Sequence, residues 1–83
     1  MTREDILKKL NIIFQDVFDD NGLIITEKTS AFDIDEWDSF NHINLIVATE
    51  REFKIKFQVG EPQKMKNVGE MIDIIFERVD HEN

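Results

Sequence analysis

The run Glu36-Trp37-Asp38-Ser39-Phe40 holds the residues of this chain whose types and spacing best suit chemistry. An acid and then a serine stand where a loop gives way to a helical pattern that continues to about Phe53. Asp38 is placed to cap that helix, its carboxylate accepting from backbone N–H groups that lack an intrahelical partner. Ser39 then lies at the positive end of the helix macrodipole, where a phosphate on its oxygen is electrostatically favoured. A hydroxyl so placed is suited to carry a phosphate ester.

Two other chemistries use residues of the same stretch, and both fail. Ser39, His42 and Asp38 are the residue types of a hydrolytic triad, but on one helix they point in diverging directions. No Gly-x-Ser-x-Gly elbow accompanies them, so His42 reads as a partly packed helix residue. Asp33, Asp35, Glu36 and Asp38 suggest calcium, yet an EF-hand loop from Asp33 would put Asp38 where glycine is required and end on Asn44. What remains is a loosely ion-attracting acidic loop, with no metal site.

The elements that must position Ser39 follow from periodicity. Thr2 and Asp5 form a capping box that opens a first helix, along which Ile6, Leu7, Leu10, Ile13, Phe14, Val17 and Phe18 share one face. Asp19-Asp20-Asn21-Gly22 ends it. The long connection from Leu23 to Trp37 reads as a loop pinned to the core by Leu23, Ile25, Phe32 and Ile34, because Leu23-Ile24-Ile25 finds no second strand. A loop of this length needs a reason, and delivering Ser39 to an exposed corner supplies one.

The second helix carries two apolar stripes. Phe40, Ile43 and Val47 lie on one side; Leu45, Ile46 and Phe53, with Ala48 and Thr49 at the margins, lie broadly on the other. Packing in a small domain needs one stripe, so the second is either buried or offered to a partner. Lys54-Ile55-Lys56-Phe57 alternates as a short extended piece, and Gly60 and Pro62 start a helical turn ending near Lys66. Asn67 with Glu70 caps a last helix that turns Val68, Met71, Ile72, Ile75 and Val79 inward, before a fraying polar tail from Asp80 to Asn83. The sum is a small all-helical bundle of three longer helices and one short one.

Composition agrees with a single domain over residues 1–83, of which 41% are hydrophobic and 34% charged. Without cysteine there is no disulfide, no thiolate metal site and no cysteine nucleophile. The net charge of -8 points away from nucleic acid and anionic membranes, and the ten basic residues are scattered along the sequence. Neither a secretory signal nor a run of ~20 apolar residues is present, so the expectation is a cytoplasmic protein with no stable membrane insertion.

Asp38-Ser39-Phe40, followed by Ile43, Leu45-Ile46, Ala48, Glu50, Glu52-Phe53 and Ile55, resembles the signature of the acyl carrier protein family. The likeness extends from about Ile6 to Val79, and Phe40 replaces the family's usual leucine after the serine. It implies a stand-alone carrier with an acyl-carrier-like four-helix bundle and a long loop between helices one and two. A phosphopantetheinyl transferase would attach 4′-phosphopantetheine from coenzyme A to Ser39, with Asp38 beside it. The arm's thiol would hold acyl groups as thioesters, and the chain itself would catalyse nothing. Acyl-loading and acyl-transfer enzymes would dock on Phe40, Ile43 and Val47, ringed by Glu36, Asp38, Glu50 and Glu52, with the carrier a monomer. The acyl chain would fold back near Phe32, Ile46, Phe57, Met65, Val68 and Ile72.

Asn41, Asn44 and Arg51 stand where fatty-acid carriers usually or often have carboxylates, and Thr49 replaces a usual inner leucine, which would shrink or polarise the pocket. These departures suggest a specialised pathway, with fatty-acid synthesis still open. An aminoacyl or peptidyl carrier using the same serine, or an unmodified helical interaction module, are the other readings the residues allow.

Overall fold

The computed structural model describes residues 1–81, the last two, Asp80 and His81, through their backbone alone. In order it contains α1 (Arg3–Val17), a 3-10 turn (Ala31–Asp33), α2 (Ser39–Phe53), α3 (Glu61–Lys64) and α4 (Val68–His81). The described residues form no strand, in agreement with an all-helical bundle. Helix α4 continues through His81, past the point where a frayed tail was expected; Glu82 and Asn83 lie outside the described residues.

Local chemistry sets the ends of α1. The Thr2 hydroxyl accepts from the Asp5 N–H and the Asp5 carboxylate from the Thr2 N–H, both at 3.1 Å. At the far end the left-handed residue is Asp19, with φ 51, and not Asn21 or Gly22. A short polar side chain tolerates that geometry. Between these ends Ile6, Leu10, Ile13 and Phe14 are buried, and α1 packs on both α2 and α4.

The long loop does more than span a gap. Asn11 accepts from the Ile25 N–H at 2.7 Å and donates to the Leu23 carbonyl, which also receives the Gln15 amide. Further on, the carbonyls of Glu27 and Thr29 accept from the N–H groups of Gly69 and Val68, while Asn67 accepts from Glu70. Donors that α4 cannot satisfy internally are thus met by the loop. Arg3 secures the same junction by pairing with Glu27 and Asp73 and donating to the Gly69 carbonyl.

Ile25 and Ile34 are buried and Leu23 is half-buried, so three of the four expected pins hold. Phe32 does not: it is 99% exposed. The expectation counted Phe32 with Ile34 among the residues that pin the loop to the core. Instead Ser30 and Asp33 form a capping box that opens the 3-10 turn holding Phe32, while Ile34 follows the turn in extended backbone, so the two side chains do not share a face. Burying Ile34 therefore turns Phe32 out.

Beyond α2, Lys54 is left-handed and Ile55 returns to the core. The short helix α3 starts after Gly60 at φ 90, ends at Lys64 with its cap at Met65, close to the expected boundary, and is clamped by Arg78. The Arg78 guanidinium donates to Glu61 at 2.6 Å and to the Lys56 carbonyl at 3.0 Å. That hydrogen bond, supported by the Gln58 N–H, holds the Glu61 carboxyl below its ordinary value of 4.5. A carboxylate with a depressed folded pKa adds stability above its unfolded pKa and loses it as pH falls through the folded one. Glu61→Gln is therefore expected to cost about 1 kcal/mol at neutral pH. Denaturant midpoints taken against pH should show the gap from the parent closing below the ordinary glutamate range.

Candidate functional site

Ser39 is the first residue of α2 and is exposed, as the loop-to-helix junction required. The Asp38 carboxylate accepts from the Asn41 N–H at 2.8 Å, so the third turn-opening donor is used and the first two are left facing outward. Asn41 adds a bond that a carboxylate could not make: its side-chain amide donates to the Glu36 carbonyl at 2.8 Å. The departure at position 41 thereby fixes the loop that presents Ser39. The other serine, Ser30, is engaged as a cap, its hydroxyl accepting from the Phe32 N–H at 3.3 Å.

Behind Ser39 lies a relay that the sequence did not reveal. The Trp37 indole N–H donates to His42 Nδ1 at 3.0 Å, and His42 Nε2 lies 2.9 Å from the Pro62 carbonyl. Both contacts are satisfied only by the neutral imidazole with its proton on Nε2. Loop, α2 and α3 are joined through one ring, and neither ring nitrogen is left to activate Ser39, which removes the hydrolase reading. The spacing of His42 three residues after Ser39, one helical turn on, was the available signal. Trp37 itself stacks edge-on against Phe14 with ring centroids 5.2 Å apart and also meets Phe18.

The groove that opens from Ser39 is about 390 Å³, bordered by Trp37, His42, Pro62, Met65 and Lys66. Of the positions expected near an acyl chain, Val68 and Ile72 are fully buried, and Ile46, Phe57 and Met65 are half-buried against the core. Phe32 is the exception, for the reason given by its 3-10 turn. Thr49 is fully buried, but its hydroxyl donates to the Leu45 carbonyl of its own helix at 2.7 Å. The expected polarisation therefore does not arise, because the core meets a methyl group. Thr49→Val should change stability by less than about 1 kcal/mol, measured by chemical denaturation, whereas Thr49→Leu should cost about 1–3 kcal/mol by overpacking.

The outer stripe is open to solvent: Phe40, Ile43 and Val47 are 72%, 64% and 43% exposed. Of the acids expected to ring it, Glu36 and Asp38 are exposed at its Ser39 end. Glu50 lies on the same face, but its carboxylate accepts from the Phe57 N–H at 2.8 Å. Glu52 falls about 180° around the helix from Ile43 and pairs with Lys9 of α1 at 3.7 Å, so it does not border the stripe.

No family model matches the chain. Along 80 residues it is 31% identical to an acyl carrier protein of Thermosynechococcus vestitus, covering 95% of this chain and 98% of that one. Its fold superposes with a TM-score of 0.85 on the solution structure of a holo acyl carrier protein from Geobacter metallireducens, at 49% identity. That match covers 92% of this chain and 87% of the other.

Proposed function

This chain belongs to the acyl carrier protein family, and on that premise we propose that Ser39 is the residue that bears its 4′-phosphopantetheine arm. The family's members are carriers and not enzymes; the arm supplies the thiol on which acyl groups ride as thioesters. This chain has no cysteine of its own to offer, so its residues fit the need for a borrowed thiol.

The observation that carries the assignment is an exposed hydroxyl at the first position of α2, with Asp38 holding the third N–H and leaving the positive end of the helix open. A phosphodiester there gains about 0.3–1 kcal/mol from the macrodipole. Lys66, on the wall of the same groove, offers a compensating cation. The Trp37–His42–Pro62 relay keeps the groove's far wall in place beside the hydroxyl.

A phosphopantetheinyl transferase and enzymes that load and unload the arm are the partners of such a carrier, and the exposed Phe40, Ile43 and Val47 are the apolar centre of their contact. Ile46, Phe57, Met65, Val68 and Ile72 would line the acyl chain. The proposal sets the protein in the cytoplasm, where coenzyme A is available, and in a specialised pathway, since Asn41, Asn44 and Arg51 make its partner face less acidic. Incubation with coenzyme A, magnesium and a broad-specificity transferase, followed by intact mass and peptide sequencing, tests it. One pantetheine phosphate on the peptide containing Ser39 is expected. A mass unchanged beside a modified control carrier, or the group found elsewhere, would overturn it.

A further inference from the structure

Four of the ten basic residues lie together in space, Arg78 of α4 joining three that follow one another along the chain. An open cleft of about 570 Å³ at the C-terminal end of α2 is lined by Arg51, Lys54, Lys56 and Arg78, with Val47 at its edge and Glu50 as its one carboxylate. With Arg78 neutralised by Glu61, the three remaining cations against Glu50 leave a local charge of +2, on a chain whose net charge is -8. Glu61 pairs with Arg78, but among the described residues Arg51, Lys54 and Lys56 enter no ion pair, and all three are exposed.

Helix stability explains only part of this. Cations in a last turn gain about 0.3–1 kcal/mol from the macrodipole, which accounts for Arg51 and Lys54. It does not account for Lys56, beyond the helix, or for Arg78, which reaches in from α4. Lys54 moreover occupies a left-handed cap at φ 56, where glycine would be relaxed. On the helical wheel Arg51 and Lys54 prolong the line of Phe40, Ile43 and Val47, so cleft and apolar stripe form one continuous face.

We propose that this face is a polarised docking surface for a protein partner that sets its own carboxylates over Arg51, Lys54 and Lys56. The acids Glu36 and Asp38 at the Ser39 end repel those carboxylates, so an apolar element of the partner can lie along α2 in one direction only. That direction decides which end of the partner meets Ser39. The inference rests on the carrier reading for its biological use, while the surface itself can be tested apart from it.

Two synthetic amphipathic helices with the same apolar face serve as probes, one with three glutamates at one end, the other with glutamines there. In titrations of the ¹⁵N-labelled full chain at low salt, the glutamate peptide is expected to bind at least about threefold more tightly. A spin label on its acidic end should broaden the amides of residues 51–56 and spare those of 36–39. The Arg51→Glu/Lys54→Glu/Lys56→Glu variant should lose the preference. Equal affinities, no binding by either peptide, or broadening around Ser39 would overturn the proposal. Modification at Ser39 is read separately by mass: a modified chain without charge preference sinks this inference alone, and a charge preference on an unmodifiable chain sinks the carrier assignment alone.

Discussion

Ile43→Glu is expected to slow transferase-catalysed modification of Ser39 by roughly 10- to 100-fold while leaving the thermal midpoint almost unchanged. Ile43 is 64% exposed near the middle of the outer stripe, between Phe40 and Val47. Truncating an apolar centre of contact typically costs a complex about 2 kcal/mol, and a carboxylate there adds the penalty of a charge with no partner. The fold does not feel the change, because the side chain contributes little buried area and glutamate forms helix well. Ile24→Glu supplies the control: that residue is 73% exposed, but it lies in the loop and is no part of α2. Initial rates of mass gain at sub-saturating carrier, with circular dichroism melts alongside, make the measurement. If Ile43→Glu and Ile24→Glu were modified equally fast, the outer stripe would lose its role as the partner-facing surface.

What the sequence disclosed and what it hid divide along a physical line. Features fixed within one helical turn were legible: the Thr2–Asp5 box, the Asp38 cap and the Asn67 cap each appear where spacing put them. The two stripes of α2 were legible for the same reason, since periodicity alone separates Leu45 from Ile43. Phe32 was misplaced because its face depends on a 3-10 turn. The Ser30-x-x-Asp33 spacing that announces the turn is the same signature read correctly at Thr2. Contacts set by tertiary packing left no local mark. Nothing in the spacing of Arg3 and Asp73, or of Lys56 and Arg78, says that the fold makes them neighbours. The relay from Trp37 through His42 to Pro62 is an intermediate case, visible as a helical neighbour of Ser39 but not as a bridge to α3.

That relay stands on Phe14 through the Trp37 ring, and Phe14→Ala is expected to be strongly destabilising. Phe14 is fully buried and forms the platform on which the Trp37 indole stands edge-on, with Phe18 beside them. Removing a buried phenylalanine ring costs about 3–5 kcal/mol, against a total stability on the order of 4–12 kcal/mol for a chain of this length. The thermal midpoint is expected to fall by about 15–30 °C. Because Trp37 is the sole tryptophan, its emission reports this seat directly and should shift to the red in the variant well below the melting range. Phe14→Leu separates shape from ring: most of the volume remains, the edge-to-face contact does not, and a loss of about 1–2 kcal/mol is expected. If the seat governs how Ser39 is held, modification in Phe14→Leu should slow even though the bundle stays folded, because loop and α3 lose their common anchor. A Phe14→Ala protein that kept its Trp37 emission and melted within a few degrees of the parent would mean that the loop is held in place without this cluster.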